Sequence, residues 1–285
     1  MSRGAAGLDA TPAEIVAFWD MAATMWSSLG SPWRVSRGDA EVYARLAGAK
    51  LGGHVLVLGV TPDLRDLVAE AGGSSVVADV SAAMYESANG LLRRADPSGE
   101  AWINGDWCEA PLTAGEFDLV LGDLIMWALP LARQLVLLER IRAALDPDGL
   151  FVSRFRFTDV ERSTDDPALV VGEYLDRLDR AGDERQALDG ELMSWLYDHT
   201  ENRELRRLDK ERAHELMLNL AERPKFARRK EFLLGYAARL VGPDWTSQSR
   251  EDLLELVRAS FRTVGEAHAS GYESSQYPIL ALQPV

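Results

Sequence analysis

The sequence predicts an α/β fold: a mostly parallel sheet with helices on both faces, preceded by a helical segment and interrupted by a large helical insertion after its fifth strand. Three observations predict it. Short apolar runs alternate with helix-patterned stretches between residues 54 and 157. From 163 to 242 the alternation stops; apolar residues recur at helical spacing and no convincing strand is found. One helix and two strand-like runs then follow.

Taken in order, residues 11–30, TPAEIVAFWDMAATMWSSLG, read as a helix with Thr11 as cap, Pro12 in its first turn and Gly30 at its end. Ile15, Phe18, Trp19, Ala22, Met25 and Trp26 share one broad face of it. A short helix near 40–46 follows. HVLVLG, 54–59, is continuously apolar, ends in glycine and reads as a buried strand. PDLRDLVAEAG is a helix, SSVVADV a second strand and SAAMYESANGLLRRA the next helix. AWINGDW is a short third strand and FDLVLGD a fourth. A helix through LARQLVLLERIRAAL, a DPDG turn and the strand LFVSRFRF complete the alternation, which implies right-handed crossovers. In the insertion, Leu188, Leu192, Trp195 and Leu196 share a helical face, as do Phe232, Tyr236 and Leu240. SREDLLELVRASF is a helix capped by Ser249, and RTVGEAHAS and YPILALQPV are two closing strands.

Composition narrows the function. The 285 residues suffice for one large domain, or for one domain with a sizeable insertion. A net charge of -14 repels phosphate backbones, so nucleic acid is not an expected partner. The single cysteine, Cys108, allows no internal disulfide and no cysteine-based zinc cluster; a reducing, cytoplasmic setting suits it. The first residues, MSRGAAGLDATPAEIV, lack the apolar core of a signal peptide. No apolar run approaches the roughly 18 residues of a membrane helix. Neither a metal site nor a membrane partner is expected, and the oligomeric state is left open.

The turn after the first strand, Gly59-Val60-Thr61-Pro62-Asp63, lies where doubly wound sheets bind ligands. It admits two readings. Thr61 caps, Pro62 takes the first helical position and Asp63 complements the dipole of a purely structural helix. Alternatively, a carboxylate docks on Gly59 and the neighbouring backbone N–H groups. A pyrophosphate is disfavoured, because Thr61 and Asp63 side chains obstruct close approach and Asp63 repels it; this argues against NAD. The next turns favour a ligand. Asp79 ends strand two, 20 residues after Gly59, at the spacing of a ribose-gripping carboxylate. Asp106, in Asn104-Gly105-Asp106-Trp107, ends strand three and can accept from an exocyclic amine. Asp123 ends strand four. Three acids at successive strand ends suit a ligand with hydroxyls, an amine and a positive centre.

These residues resemble the class I S-adenosylmethionine-dependent methyltransferases over 54–157, above all a bacterial branch with a Gly-Val-Thr-Pro-Asp/Glu-Leu first turn and a Gly-Asp-Trp after strand three. The resemblance implies a Rossmann-like seven-stranded sheet with an antiparallel last strand and S-adenosylmethionine as cofactor. It maps the glycine turn onto Leu58-Gly59-Val60-Thr61, the ribose acid onto Asp79, and the Met that packs near the adenine onto Met84, in the stretch Asp79-Val80-Ser81-Ala82-Ala83-Met84. It maps the adenine-contacting acid onto Asp106, with Trp107 beside it. The acid usual within strand one is Val57 here, and two later glycines are Thr61 and Asp63. The cofactor's methionine end is therefore expected on Asp123, Arg34 or Trp33. The organisation expected is an N-terminal helical lid segment (1–50), a cofactor-binding core (51–162), a helical substrate cap (163–247) and a final helix with closing strands (248–285).

The acceptor is expected to be a small molecule, methylated on O or N, walled by Trp26, Trp33 and Trp127 with Tyr174 and Trp195 further out; Trp19 reads as core packing. Asp123, His199, His214 and His268 are candidate bases, and none is selected, since a base is needed only if the acceptor arrives protonated. Residues 161–200 hold 11 acids and 4 basic residues, whereas 201–230 hold 6 acids and 10 basic residues. Helices paired by charge explain this first; a cap with a basic lining for a carboxylate-bearing acceptor is the alternative. Two other readings of the whole chain stand beside the enzyme: a non-catalytic protein that binds an adenosyl ligand, and an NAD-dependent dehydrogenase.

Overall fold

A computed structural model describes residues 10–158, 166–181, 185–202, 204, 206–240, 245–270 and 276–285. Five parallel strands come first: β1 (His54–Leu58), β2 (Ser74–Asp79), β3 (Ala101–Asn104), β4 (Phe117–Asp123) and β5 (Leu145–Arg154). With two later strands, β9 (Phe261–Ala267) and β10 (Ile279–Pro284), they form a seven-stranded sheet in the order β3-β2-β1-β4-β5-β10-β9. Only β10 runs against its neighbours. The order reverses between β1 and β4, so their carboxyl ends, at Leu58 and Asp123, flank the switch point where such sheets open a crevice.

Period-2 alternation buries both faces. Leu56, Leu58 and Val120 pack against α5 (Leu131–Ala144) and α10 (Arg250–Arg258). Val55, Val57, Leu119 and Leu121 pack against α2 (Arg37–Ala47), α3 (Pro62–Glu70) and α4 (Ala82–Asn89). The insertion supplies α6 (Pro167–Leu178), α7 (Arg185–Thr200), α8 (Lys210–Ala221) and α9 (Lys230–Arg239). Its core of Leu192, Leu196, Met217, Leu220, Leu233 and Tyr236 also takes in Trp127 from beyond β4, with Phe18 and Trp33 of the N-terminal segment packed against it. Charge pairing explains much of its polarity: Arg177 meets Glu191 at 2.9 Å, Arg223 meets Asp166 at 3.7 Å, and Arg229 pairs with Asp179. Among the described residues no helix is long and apolar enough to cross a membrane.

Four sequence expectations are corrected. The insertion is not wholly helical. Two-residue strands β6 (Glu201–Asn202), β7 (Arg207–Leu208) and β8 (Trp245–Thr246) make a small antiparallel sheet. Thr246 N–H donates to the Trp127 carbonyl at 3.0 Å, tying this ribbon to the segment after β4. The first helix, α1 (Pro12–Ala23), stops short of Gly30: the Thr24 hydroxyl bonds back to the Met21 carbonyl at 2.7 Å, and a short 3₁₀ turn follows at Trp26–Ser28. α4 ends at Asn89 because Asp66 accepts the N–H groups of Arg93, Arg94 and Ala95 and draws the chain away. Thr61 stands at the amino end of α3, but its side chain makes no capping bond. Thr11 and Ser249 do cap, each through the third N–H of its helix.

Candidate active site

Two adjoining cavities open at the carboxyl edge, of about 490 and 140 Å³, and both are lined by Trp19, Asp79, Trp107 and Ala128. The larger is enclosed by the start of α1 (Thr11, Pro12, Ile15), the end of β2 (Asp79, Val80), Asp106 beyond β3, and Leu129 to Arg133 leading into α5. The smaller is bounded by the β1 turn (Leu58 to Thr61), Met84, the β4 end (Asp123 to Trp127), N-terminal aromatics and the insertion.

The sheet side is held by backbone bonds. Gly59 has φ +85°, a conformation that strains any side chain; a methyl there would stand 3.8 Å from Trp107 and 4.0 Å from the Asp79 carboxylate. Trp107 is fixed by its indole N–H, which donates to the Ala78 carbonyl at 2.7 Å. Asp79 accepts the Ser81 N–H at 2.9 Å, yet burial pushes its carboxyl up to about 7. The Ser81 hydroxyl donates to Asp20 at 2.6 Å, and that of Ser87 to the Ala23 carbonyl at 2.9 Å, so α1 is moored over the β2 end. Asp106 is gripped by both terminal nitrogens of Arg133 at 2.7 Å and accepts the Cys108 N–H at 2.8 Å.

Asp123 lines the smaller cavity from within a buried network. Arg154 donates to its two oxygens at 2.8 and 2.9 Å, to Asp39 at 3.0 Å and to the Pro32 carbonyl at 2.7 Å. Tyr43 donates to the Gly122 carbonyl at 2.7 Å and accepts the Arg154 N–H at 2.8 Å. Two carboxylates thus share one guanidinium, all three fully or almost fully buried. Burial raises the Asp123 carboxyl, with Arg154 opposing; burial and Asp123 raise the Tyr43 hydroxyl well above its ordinary value.

Aromatic rings form the opposite wall. Trp33 stacks on Trp127 at 5.2 Å between centroids and 25°. Trp245 meets Trp127 edge-on at 3.9 Å and Trp33 at 5.0 Å, and Tyr197 meets Trp33 at 5.5 Å. The Lys210 ammonium lies 4.6 Å from the ring centroids of both Phe18 and Trp245. The indole N–H groups of Trp26 and Trp127 are buried and, among the described residues, without a hydrogen-bond partner.

Of the residues singled out in the sequence, Gly59, Thr61, Asp79, Met84, Trp107, Asp123, Trp26, Trp33 and Trp127 line the smaller cavity; Val80 and Asp106, with Asp79 and Trp107, line the larger. Arg34 lines neither and pairs with Asp63 at 3.4 Å. Nor do Tyr174 and Trp195. α6 packs on α7 and not on the cavity, and α7 presents Met193 and Tyr197, a helical turn apart, while Trp195 points elsewhere and stacks on His199 at 5.0 Å. The histidines also lie off the cavities: His214 Nδ1 is 2.8 Å from the Ala237 carbonyl, and His268 lies 3.5 Å from Glu266. Trp19, read from sequence as core, touches both cavities. Tyr197, Lys210, Arg239, Trp245 and Arg133 were not anticipated.

The same face of α7 carries Gly190, where a Cβ would overlap the Ser31 carbonyl. Gly190→Ala is expected to cost about 1–3 kcal/mol by prising Ser31–Pro32 from α7. Chemical denaturation measures this; an unchanged midpoint would mean the helix does not press on that segment.

No protein-family model and no curated protein matches the chain. Solved structures do. A Rhodobacter sphaeroides chain named for zinc-dependent alcohol dehydrogenases superposes with TM-score 0.60 at 14% identity, covering 95% of this chain and 98% of its own. A Burkholderia thailandensis 1,6-didemethyltoxoflavin-N1-methyltransferase, with its substrate and S-adenosylhomocysteine bound, gives 0.53 at 14%, covering 97% and 91%. A Listeria monocytogenes chain described as an S-adenosylmethionine-dependent methyltransferase gives 0.51 at 12%, covering 87% and 97%. At such identities the likeness establishes the fold alone. Among the described residues no three His, Cys, Asp or Glu side chains gather in a group that could hold a metal ion. The chain has the seven-stranded Rossmann-like sheet that these methyltransferases share.

Proposed function

We propose that the protein is an S-adenosylmethionine-dependent methyltransferase acting on a small-molecule acceptor. The observation that carries this is Asp79: a buried carboxylate at the end of β2, beside the positive-φ Gly59 and the pinned Trp107, on the boundary between two cavities. The residues fit the cofactor's parts. Asp79 accepts from ribose hydroxyls. Val80, Asp106 and Trp107 border the larger cavity, of a size for adenine, and Asp106 keeps acceptor capacity beyond its Arg133 bonds for an exocyclic amine. The β1 turn and the amino end of α3, which Thr61 leaves without a side-chain cap, suit a carboxylate. Asp123, in a network with more acid than base, suits the ammonium of the same amino acid.

The cofactor, when bound, supplies a sulfonium-borne methyl group: an acceptor lone pair bonds to the methyl carbon as the carbon–sulfur bond breaks, its electrons passing to sulfur. The chain's own work is alignment and exclusion of water. Trp33 and Trp127 line the smaller cavity stacked on each other, with the Arg156 guanidinium over the Trp127 ring, so they serve as an apolar wall. The N-terminal segment and the insertion act together as a lid. Asp123, the one candidate base on a cavity wall, has its oxygens held by Arg154 and receives no proton-transfer role.

Calorimetry is expected to give S-adenosylhomocysteine a dissociation constant in the micromolar range, as for typical cofactors, and no heat for NAD. Binding of NAD without the sulfur compound would overturn the reading. Binding of both S-adenosylmethionine and acceptors without methyl transfer would leave a non-catalytic binding protein.

A further inference from the structure

Resting on S-adenosylmethionine as the cofactor, we infer that Arg133 and Asp106 read its base together: one oxygen of Asp106 accepts from the exocyclic amine while one nitrogen of Arg133 donates to the ring nitrogen beside it. Asp106 alone would select an amine at a single point. The pair selects an amine next to an unprotonated nitrogen, which is the edge adenine presents.

The hydrogen bonds of the two side chains leave this edge open. A carboxylate has about four lone-pair sites. Oδ1 of Asp106 uses both of its own, on Nη2 of Arg133 at 2.7 Å and on the Cys108 N–H at 2.8 Å. Oδ2 uses one, on Nη1 at 2.7 Å, and keeps the other. The guanidinium divides in the same way. Nη2, bonded to Oδ1, also lies 3.7 Å from Glu109. Nη1 carries a second N–H and, beyond Asp106, has no partner among the described residues. Cys108 and Glu109 thus close one side of the fork, and Oδ2 and Nη1 form its open side. Both residues line the larger cavity, with side chains 25% and 30% exposed, enough for a guest to reach them.

The edge is held in place from both ends. Arg133 lies in the first turn of α5, its N–H bonded to the Pro130 carbonyl at 2.9 Å. The Asp106 carbonyl accepts the Ala110 N–H at 2.7 Å. Two-point contact sets the carboxylate against the planar guanidinium, so the remaining acceptor and donor point side by side. A 6-oxo base breaks the match. Its carbonyl would face the lone pair left on Oδ2, and two acceptors would meet with no proton between them. With the ribose held at Asp79, on the same cavity, the base cannot turn over to restore the pairing.

Calorimetry on the full-length protein compares S-adenosylhomocysteine with its 6-oxo counterpart, S-inosylhomocysteine, and with its 1-deaza and 7-deaza forms, in which a C–H replaces one ring nitrogen. The inosyl compound is expected to bind at least roughly tenfold weaker, as loss of a charged hydrogen bond implies, and one of the two deaza compounds at least roughly fivefold weaker. Arg133→Met keeps the stem and removes the fork. It should weaken S-adenosylhomocysteine, and the deaza penalty should vanish. A merely bracing role would weaken parent and deaza compounds alike and keep the penalty. Should that variant not fold, Arg133→Lys, a cation without the fork, should cut the penalty by roughly threefold or more. Equal binding of the adenosyl and inosyl compounds, no penalty for either deaza form, or a penalty untouched by the substitution overturns the inference. Should S-adenosylhomocysteine fail to bind while adenosine binds, the methyl-transfer reading falls instead, and the adenosine-to-inosine ratio still tests the edge. Binding of neither overturns both.

Discussion

Arg154→Leu is expected to destabilise the protein by about 3–5 kcal/mol, because it leaves two buried carboxylates, Asp39 and Asp123, without their shared cation. Arg154→Lys should recover little of this. The guanidinium spans both Asp123 oxygens, Asp39 and the Pro32 carbonyl at once, a geometry that an ammonium cannot copy. The damage should also be local in a defined way. Arg154 joins the end of β5 to the end of β4 and to the loop before α2, so the N-terminal segment should become protease-sensitive before the sheet unfolds. Equilibrium denaturation in urea reads the first effect and timed proteolysis the second. A loss below about 1 kcal/mol would show that the three side chains do not depend on one another as their burial demands.

The second large effect concerns Asp79 and pH. Its folded value, about 7, lies above the unfolded 3.8. A carboxyl raised in this way favours the folded state when protonated: its contribution is fully present below pH 3.8 and is lost as pH rises through 7. The ligand-free protein should therefore lose up to about 4 kcal/mol from this one group across that window. Asp79→Asn should flatten the loss and raise the melting temperature at pH 8. Cofactor binding should show the opposite slope. In the proposed site ribose hydroxyls would donate to the ionised carboxylate, so affinity for S-adenosylhomocysteine should rise about tenfold per pH unit up to 7 and then level off, with a proton released on binding below it. Asp79→Ala should weaken binding by about 1–3 kcal/mol at pH 8. Unchanged affinity in that variant, or no proton release in buffers of differing ionisation heat, would take Asp79 out of the site.

The sheet was legible because burial on both faces leaves continuous apolar runs such as Val55 to Leu58, and because its strand ends carry acids that burial would otherwise disfavour. The turn residues were legible in position but not in use. Thr61 has the chemistry of a cap, yet only the backbone angles decide whether its hydroxyl turns to the helix. In the insertion, Leu188, Leu192 and Leu196 are buried on one side of α7, and Met193 and Tyr197 are buried beside them. With so much of the helix apolar, periodicity could not say which side faces a cavity, so Trp195 was singled out and Tyr197 was not. Lys210 was one of ten basic residues between 201 and 230, and charge counting cannot single out the buried one. Two-residue strands such as Trp245–Thr246 carry no period at all, so Trp245 gave no signal.

Trp19 stands on both cavities and lies 6.4 Å from Trp245, nearly parallel to it. If a guest in one chamber shifts this ring, it moves a wall of the other, and the two occupancies become coupled. Whatever factor an acceptor applies to cofactor affinity, the cofactor must apply to acceptor affinity, since the two form a closed thermodynamic cycle. Shortening the ring, as in Trp19→Leu, would lower that mutual factor toward one while each guest alone still bound. Reciprocity of this kind would favour or disfavour joint occupancy of the two chambers without any residue at the reacting atoms.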